Sequence, residues 1–139
     1  MRSVAPILLF CFLFMATLTA VRSQNYIGLY KDTIKVLVPE SFPGFVFAKE
    51  VSNYDKSFIK FENTYEEQTI LFVLNEDGYC TYVSRMYNTW LFNKLKDELS
   101  KKYGDSKNLI WNQTKDGKSY EVELRKGKWF VTVITRPKK

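Results

Sequence analysis

From residue 24 onward the apolar positions recur with two different periods, and the change from one to the other divides the chain into elements. In residues 32–40 (DTIKVLVPE), Ile34, Leu37 and Val38 fall at i, i+3 and i+4, the spacing of one helical face. Asp32 stands as N-cap and Pro39 marks the end of this helix. The β-branched residues of the same run leave a strand as the competing reading. Ser41-Phe42-Pro43-Gly44 is then a turn, because Pro fixes φ and Gly tolerates a positive one.

From there period two takes over. Phe45 to Val51 and Phe58 to Glu62 read as strands, and Thr69 to Leu74 (TILFVL), apolar at nearly every position, reads as a central strand covered on both faces. Asn75-Glu76-Asp77-Gly78 is a hairpin turn into a strand over Tyr79 to Met86, on which Cys80 would share a face with Tyr82, Ser84 and Met86. The period returns to 3.6 over Thr89 to Lys102. Asn88 is placed as its cap, Leu91, Phe92, Leu95 and Leu99 form the apolar stripe, Lys101 and Lys102 suit the negative end of the helix dipole, and Gly104 follows at C′. Leu109 to Gln113, Tyr120 to Arg125 and Lys128 to Thr135 complete a meander through the turns Lys115 to Lys118 and Lys126-Gly127. In its middle strand Tyr120, Val122 and Leu124 share one face, with Glu121, Glu123 and Arg125 on the other.

These elements predict an α+β fold, with a mainly antiparallel sheet of about six to seven strands and two helices packed on one face. Both helices end in an aromatic-plus-glycine turn, Phe42-Pro43-Gly44 and Tyr103-Gly104, which hints at two α-β-β-β-like halves. No linker, low-complexity tract or long charge block divides residues 24–139, so they are expected to form a single domain.

Gln68 to Phe72 with Cys80, the helix end Lys101-Lys102-Tyr103-Gly104, Trp111, Ser119 to Leu124 and Trp129 to Val133 resemble small signal-bearing exported proteins of Bacteroidota with unassigned function. The likeness covers residues 30–135 and consists of core and turn positions, so it implies no catalytic motif. The α-β-β-β arrangement is also similar to the repeats of the β-lactamase-inhibitor-protein and outer-membrane-assembly lipoprotein group. There an exposed sheet face binds other proteins, an analogy of architecture that transfers no site residue.

The residues before this domain change the composition. Met1 to Ser23 reads as a secretory signal: Arg2 is the positive start, Pro6 to Ala16 the apolar segment, and Val21-Arg22-Ser23 the cleavage site. A periplasmic or extracellular destination follows. Lipid attachment at Cys11 is the competing idea, but Leu8-Leu9-Phe10 lacks the small residue expected before a lipidated cysteine. Without Arg2 and Arg22 the charge falls from +6 to +4, and Cys80 remains as the single cysteine of the mature chain. That chain holds no further stretch approaching the ~20 apolar residues of a membrane span.

The chain has no histidine, which removes Ser-His-Asp and Cys-His hydrolases and His-ligated metal sites. No cofactor or metal is expected, and a non-enzymatic protein is favoured. Cys80 reads as a buried structural thiol, with an intermolecular disulfide or a reactive site as alternatives. Glu121 and Glu123, about 7 Å apart on one strand face, could act as a glycosidic pair, or belong to a solvated face. Trp90, Trp111, Trp129 and Tyr120 could stack on a glycan or anchor a protein, or fill the core; Trp90, beside the apolar stripe, is the most exposed candidate. The basic residues Arg125, Lys126, Lys128, Arg136, Lys138 and Lys139 read as guards of a sheet edge, and nucleic acid is not an expected partner. Asn112-Gln113-Thr114 and Asp32-Thr33-Ile34 fit short glycosylation signals that recur by chance.

Three functions remain in play. The first is an exported binding module for an unknown protein or envelope component, acting through its sheet face or aromatic edge. A carbohydrate-binding or carbohydrate-processing domain is the second. The third is an inhibitor that inserts the Asn75–Gly78 or Lys115–Lys118 turn into a secreted enzyme.

Overall fold

A computed structural model describes residues 25–139; the signal assigned to residues 1–23 lies outside them. The described residues run α1 (Lys31–Ser41), β1 (Val46–Ser52), β2 (Ser57–Asn63), β3 (Gln68–Leu74), β4 (Cys80–Asn88), a 3-10 turn (Thr89–Leu91), α2 (Phe92–Tyr103), β5 (Ile110–Lys115), β6 (Lys118–Lys126) and β7 (Phe130–Pro137). The strands form one antiparallel sheet in the order β1-β2-β3-β4-β7-β6-β5, so the expected α+β class holds.

The register places both helices on the same face. Phe61 lies opposite Ile70, Ile70 opposite Arg85, Arg85 opposite Val133 and Val133 opposite Leu124, and residues directly opposite in a ladder share a face. Ile34 and Val38 of α1 pack with Ile59, Phe61, Ile70 and Phe72, whereas Leu95 of α2 packs with Trp111, Val122, Leu124 and Val131. Side chains enclosed in this way stabilise the fold by about 1.5–3 kcal/mol each. Between the two clusters sits Arg85, its guanidinium 5.0–5.2 Å from the rings of Phe42, Phe45 and Tyr87. Its Nε and Nη2 both donate to Gln68 Oε1.

Several local expectations are corrected. α1 continues through Pro39 to Ser41, because the Phe42 N–H donates to the Val38 carbonyl and closes the last turn beyond the proline. Its N-cap is Tyr30 without a side-chain bond, and Asp32 lies in the first turn. Asn88 does not cap α2; it ends β4 and donates to Glu67 Oε2 at 2.9 Å. β3 is covered on one face only, with Ile70, Phe72 and Leu74 buried and Leu71 and Val73 half-buried. A register shift pairs Val73 with Tyr82 but Leu74 with Cys80, so Thr81 is the extra residue. Cys80 thereby turns into the core and leaves the face of Tyr82.

The strand order is compatible with the hint of duplication. Each helix is followed by an antiparallel run of three strands, β2-β3-β4 and β5-β6-β7, and the two runs meet at the antiparallel β4–β7 pair. A two-fold axis normal to the sheet between β4 and β7 exchanges β4 with β7, β3 with β6 and β2 with β5 and keeps both helices on one face. The first half differs by one additional strand, β1, at its outer edge.

Candidate binding surfaces

The same alternation that fills the core sends the other half of each strand to the helix-free face. Phe58, Leu71, Val73, Met86 and Ile134 are half-buried there, and Tyr82 is exposed. They are contiguous across strands, since Phe58 lies opposite Val73, Val73 opposite Tyr82, Leu71 opposite Ser84, and Ser84 opposite Ile134. Neither helix covers this band.

Its flanks are charged, and those charges are paired. Lys60 pairs with Glu62 on one side. On the other, Arg136 reaches both carboxylates, with Nη2 3.2 Å from Glu121 Oε2 and Nη1 on Glu123 Oε2, while Arg125 Nη2 lies 3.2 Å from Glu123 Oε1. The hydrogen bond from Arg136, with Arg125 adding to it, holds the Glu123 carboxyl below the usual carboxylate range. A glycosidic general acid needs the opposite shift. Glu121 and Glu123 thus sit together as expected, but as the acidic half of a salt-bridge cluster.

The aromatic candidates separate by position. Trp111, with 0% of its surface exposed, and Tyr120, with 7%, are core residues and leave the set of binding candidates, because Trp111 lies opposite Val122 on the helix-covered face. Trp90 and Trp129 are 76% and 72% exposed. Their elements lie side by side at one end of the sheet. Asn88, the last residue of β4, lies opposite Phe130, the first of β7, so the turn carrying Trp90 and the hairpin carrying Trp129 are neighbours. Phe130 is itself 53% exposed. Lys128 Nζ stands 5.1 Å from the Trp129 ring, and Lys126 Nζ 5.0 Å from the Phe92 ring. The basic cluster of the sequence is split, because β7 spans the sheet: Arg125, Lys126 and Lys128 precede it, and Arg136, Lys138 and Lys139 lie at its far end.

Elsewhere the chemistry is subdued. Burial pushes the Cys80 thiol up to about 12, and the thiol donates to the Tyr82 carbonyl at 3.5 Å. Glu50 of β1 receives Lys31 and Lys35 of α1, which hold its carboxyl below the usual range and tie the helix to the edge strand. The two lysines are one turn apart in sequence, but nothing in the sequence marked Glu50 as their partner. A cavity of about 160 Å³ beside Tyr30, Lys31 and Asn75 is smaller than the ~300 Å³ at the low end of ligand pockets. Among the described residues no three potential metal ligands converge, and no helix is long and apolar enough to cross a membrane. Comparison of the chain with protein-family models, curated proteins and solved structures gave no match.

Proposed function

We propose that this protein is an exported, non-enzymatic binding module that holds another protein against the helix-free face of its sheet. The observation that carries this reading is the contiguous half-exposed band of Phe58, Leu71, Val73, Tyr82 and Ile134, bordered by charges that already neutralise one another. A flat apolar strip inside a polar rim is the composition of a protein interface. The ion pairing of Glu121 and Glu123 disfavours a carbohydrate-processing role, because Arg136 reaches both carboxylates and the Glu123 carboxyl is held below its usual range, opposite to what a general acid needs. The inhibitor reading is a special case of protein binding and draws on the Asn75–Gly78 turn. Asn75 Oδ1 accepts the N–H groups of Asp77 and Tyr79, which holds that acidic tip in one shape.

The test places a photo-crosslinking residue at Tyr82 and, separately, at exposed Lys96 on α2, in the native host. The expected result is one discrete adduct from position 82, abolished by Ile134→Lys, and none from position 96. Equal labelling from both positions, or an adduct indifferent to Ile134→Lys, overturns the reading. A product of enzyme-catalysed glycan cleavage that disappears with Glu123→Gln overturns the non-enzymatic part.

A further inference from the structure

The exposed aromatic end of the sheet has a chemistry different from the sheet face. Trp90, Trp129 and Phe130 are 76%, 72% and 53% exposed, far more than rings lining a cleft, so they project from the surface. They come from two adjacent elements, the 3-10 turn after β4 and the β6-β7 hairpin, brought together by the Asn88–Phe130 pairing. Cations lie over two rings at this end. Lys128 lies over Trp129 and Lys126 over Phe92, and among the described residues neither ammonium has a carboxylate within ion-pair distance. Arg125 is the third cation and is shared with Glu123. The neighbouring β2-β3 turn carries two carboxylates, Glu66 and Glu67, which accept hydrogen bonds from the neutral amides of Gln68 and Asn88 and keep their charge, so the attraction to an anionic layer rests on Lys126 and Lys128 at the ring side of this end.

Leaving two tryptophans and a phenylalanine in water is unfavourable, and such residues mark interaction sites. A glycan site would set polar acceptors beside the rings to take hydroxyl donors. Here the side chains flanking Trp129 are ammonium groups that only donate. Indole rings prefer the bilayer interface, and lysines beside them are drawn to an anionic headgroup layer. We infer that the end formed by Trp90, Trp129 and Phe130 with Lys126 and Lys128 docks the protein peripherally on an anionic phospholipid surface. The rings enter the headgroup region while the ammonium groups meet phosphate oxygens. This surface lies at the end of the strands and leaves the Tyr82 band free.

The chain beginning at Gln24 is mixed with sedimentable vesicles of phosphatidylglycerol and, in parallel, of phosphatidylcholine, and the bound fraction and tryptophan emission are read. The expected result is binding to phosphatidylglycerol with a blue shift, weakened by added salt, and little binding to phosphatidylcholine. Lys126→Ala lowers the partition about fivefold, as does Lys128→Ala. Trp90→Ala with Trp129→Ala lowers it by about tenfold or more. Tyr82→Lys, on the sheet face, leaves it unchanged, so the outcome is separable from the fate of the protein-binding reading. Absence of binding to phosphatidylglycerol overturns the inference, as does binding indifferent to both lysines and both tryptophans. Equal binding to both lipids, or an emission change with soluble glycans and none with vesicles, does so too.

Discussion

On the covered face of the sheet, Phe61, Phe72 and Trp111 are fully enclosed, and Arg85 between the two clusters is surrounded by Phe42, Phe45 and Tyr87 with an amide oxygen as its hydrogen-bond acceptor. On the open face the apolar side chains keep part of their surface in water, and Arg125 and Arg136 answer Glu121 and Glu123 directly. The two faces are built from the same strands and the same alternation. They differ in what water can reach. On the helix side the half-buried Arg85 is held by ring faces and an amide oxygen; on the open face ion pairs form at little cost and contribute little. Stability is therefore concentrated on one face, and the other is free to carry recognition.

The largest expected effect sets the buried tryptophan against its exposed counterpart. Trp111→Ala should destabilise the fold by about 3–5 kcal/mol, since it empties the space beneath α2. Trp129→Ala should stay within about 0.5 kcal/mol. Urea unfolding followed by circular dichroism measures both. Comparable losses at the two positions would break the division between a structural and a recognition surface. Trp111 Nε1 has no hydrogen-bond partner, so Trp111→Phe, which removes that orphan donor and keeps most of the ring, should lose less than Trp111→Ala.

How far this division could be read in advance depended on whether a feature was local. Tyr120, Val122 and Leu124 against Glu121 and Glu123 were legible because period two is written into five consecutive residues. Trp90 was legible because it falls beside the stripe of Leu91, Leu95 and Leu99. The face of Cys80 was not, since it is set by a shift of register against Leu74 across a hairpin. Trp111 and Trp129 looked alike in sequence, both near β-rich runs. One lies within β5 opposite Val122, and the other precedes β7, in the loop before Phe130. Likewise Arg136 meets Glu123 only because β6 and β7 pair, and Lys31 and Lys35 meet Glu50 only because α1 lies along the edge strand.

Cys80 provides an intermediate effect on the covered face. Its folded thiol is raised to about 12 by burial, whereas an unfolded cysteine ionises near ~8.5. Between those values the unfolded state releases a proton that the folded state retains, so stability should fall as pH rises through that interval. Cys80→Ala should flatten that alkaline decline. A thiol reagent should label the native chain only at the rate of opening, and rapid labelling under native conditions would place the thiol outside the core.

The smallest effect belongs to the open face and has the opposite sign in pH. Glu123 is held below its ordinary range by Arg136 and Arg125, so the folded state keeps it ionised to lower pH than the unfolded chain does. Its contribution is present above the unfolded carboxylate range and disappears as pH falls through the depressed folded value. Glu50, held down by Lys31 and Lys35 at the other side of the sheet, contributes to acid sensitivity with the same sign. Because the Glu123 pairs are partly open to solvent, Glu123→Gln should cost only about 0.3–1 kcal/mol at neutral pH. The comparison of urea midpoints at neutral pH and near pH ~3, where free carboxylates are largely protonated, should show this gap closing. A loss as large as that of Trp111→Ala, or one that persists undiminished in acid, would mean that the open-face cluster is structural after all, and the face would then have less freedom to serve a partner.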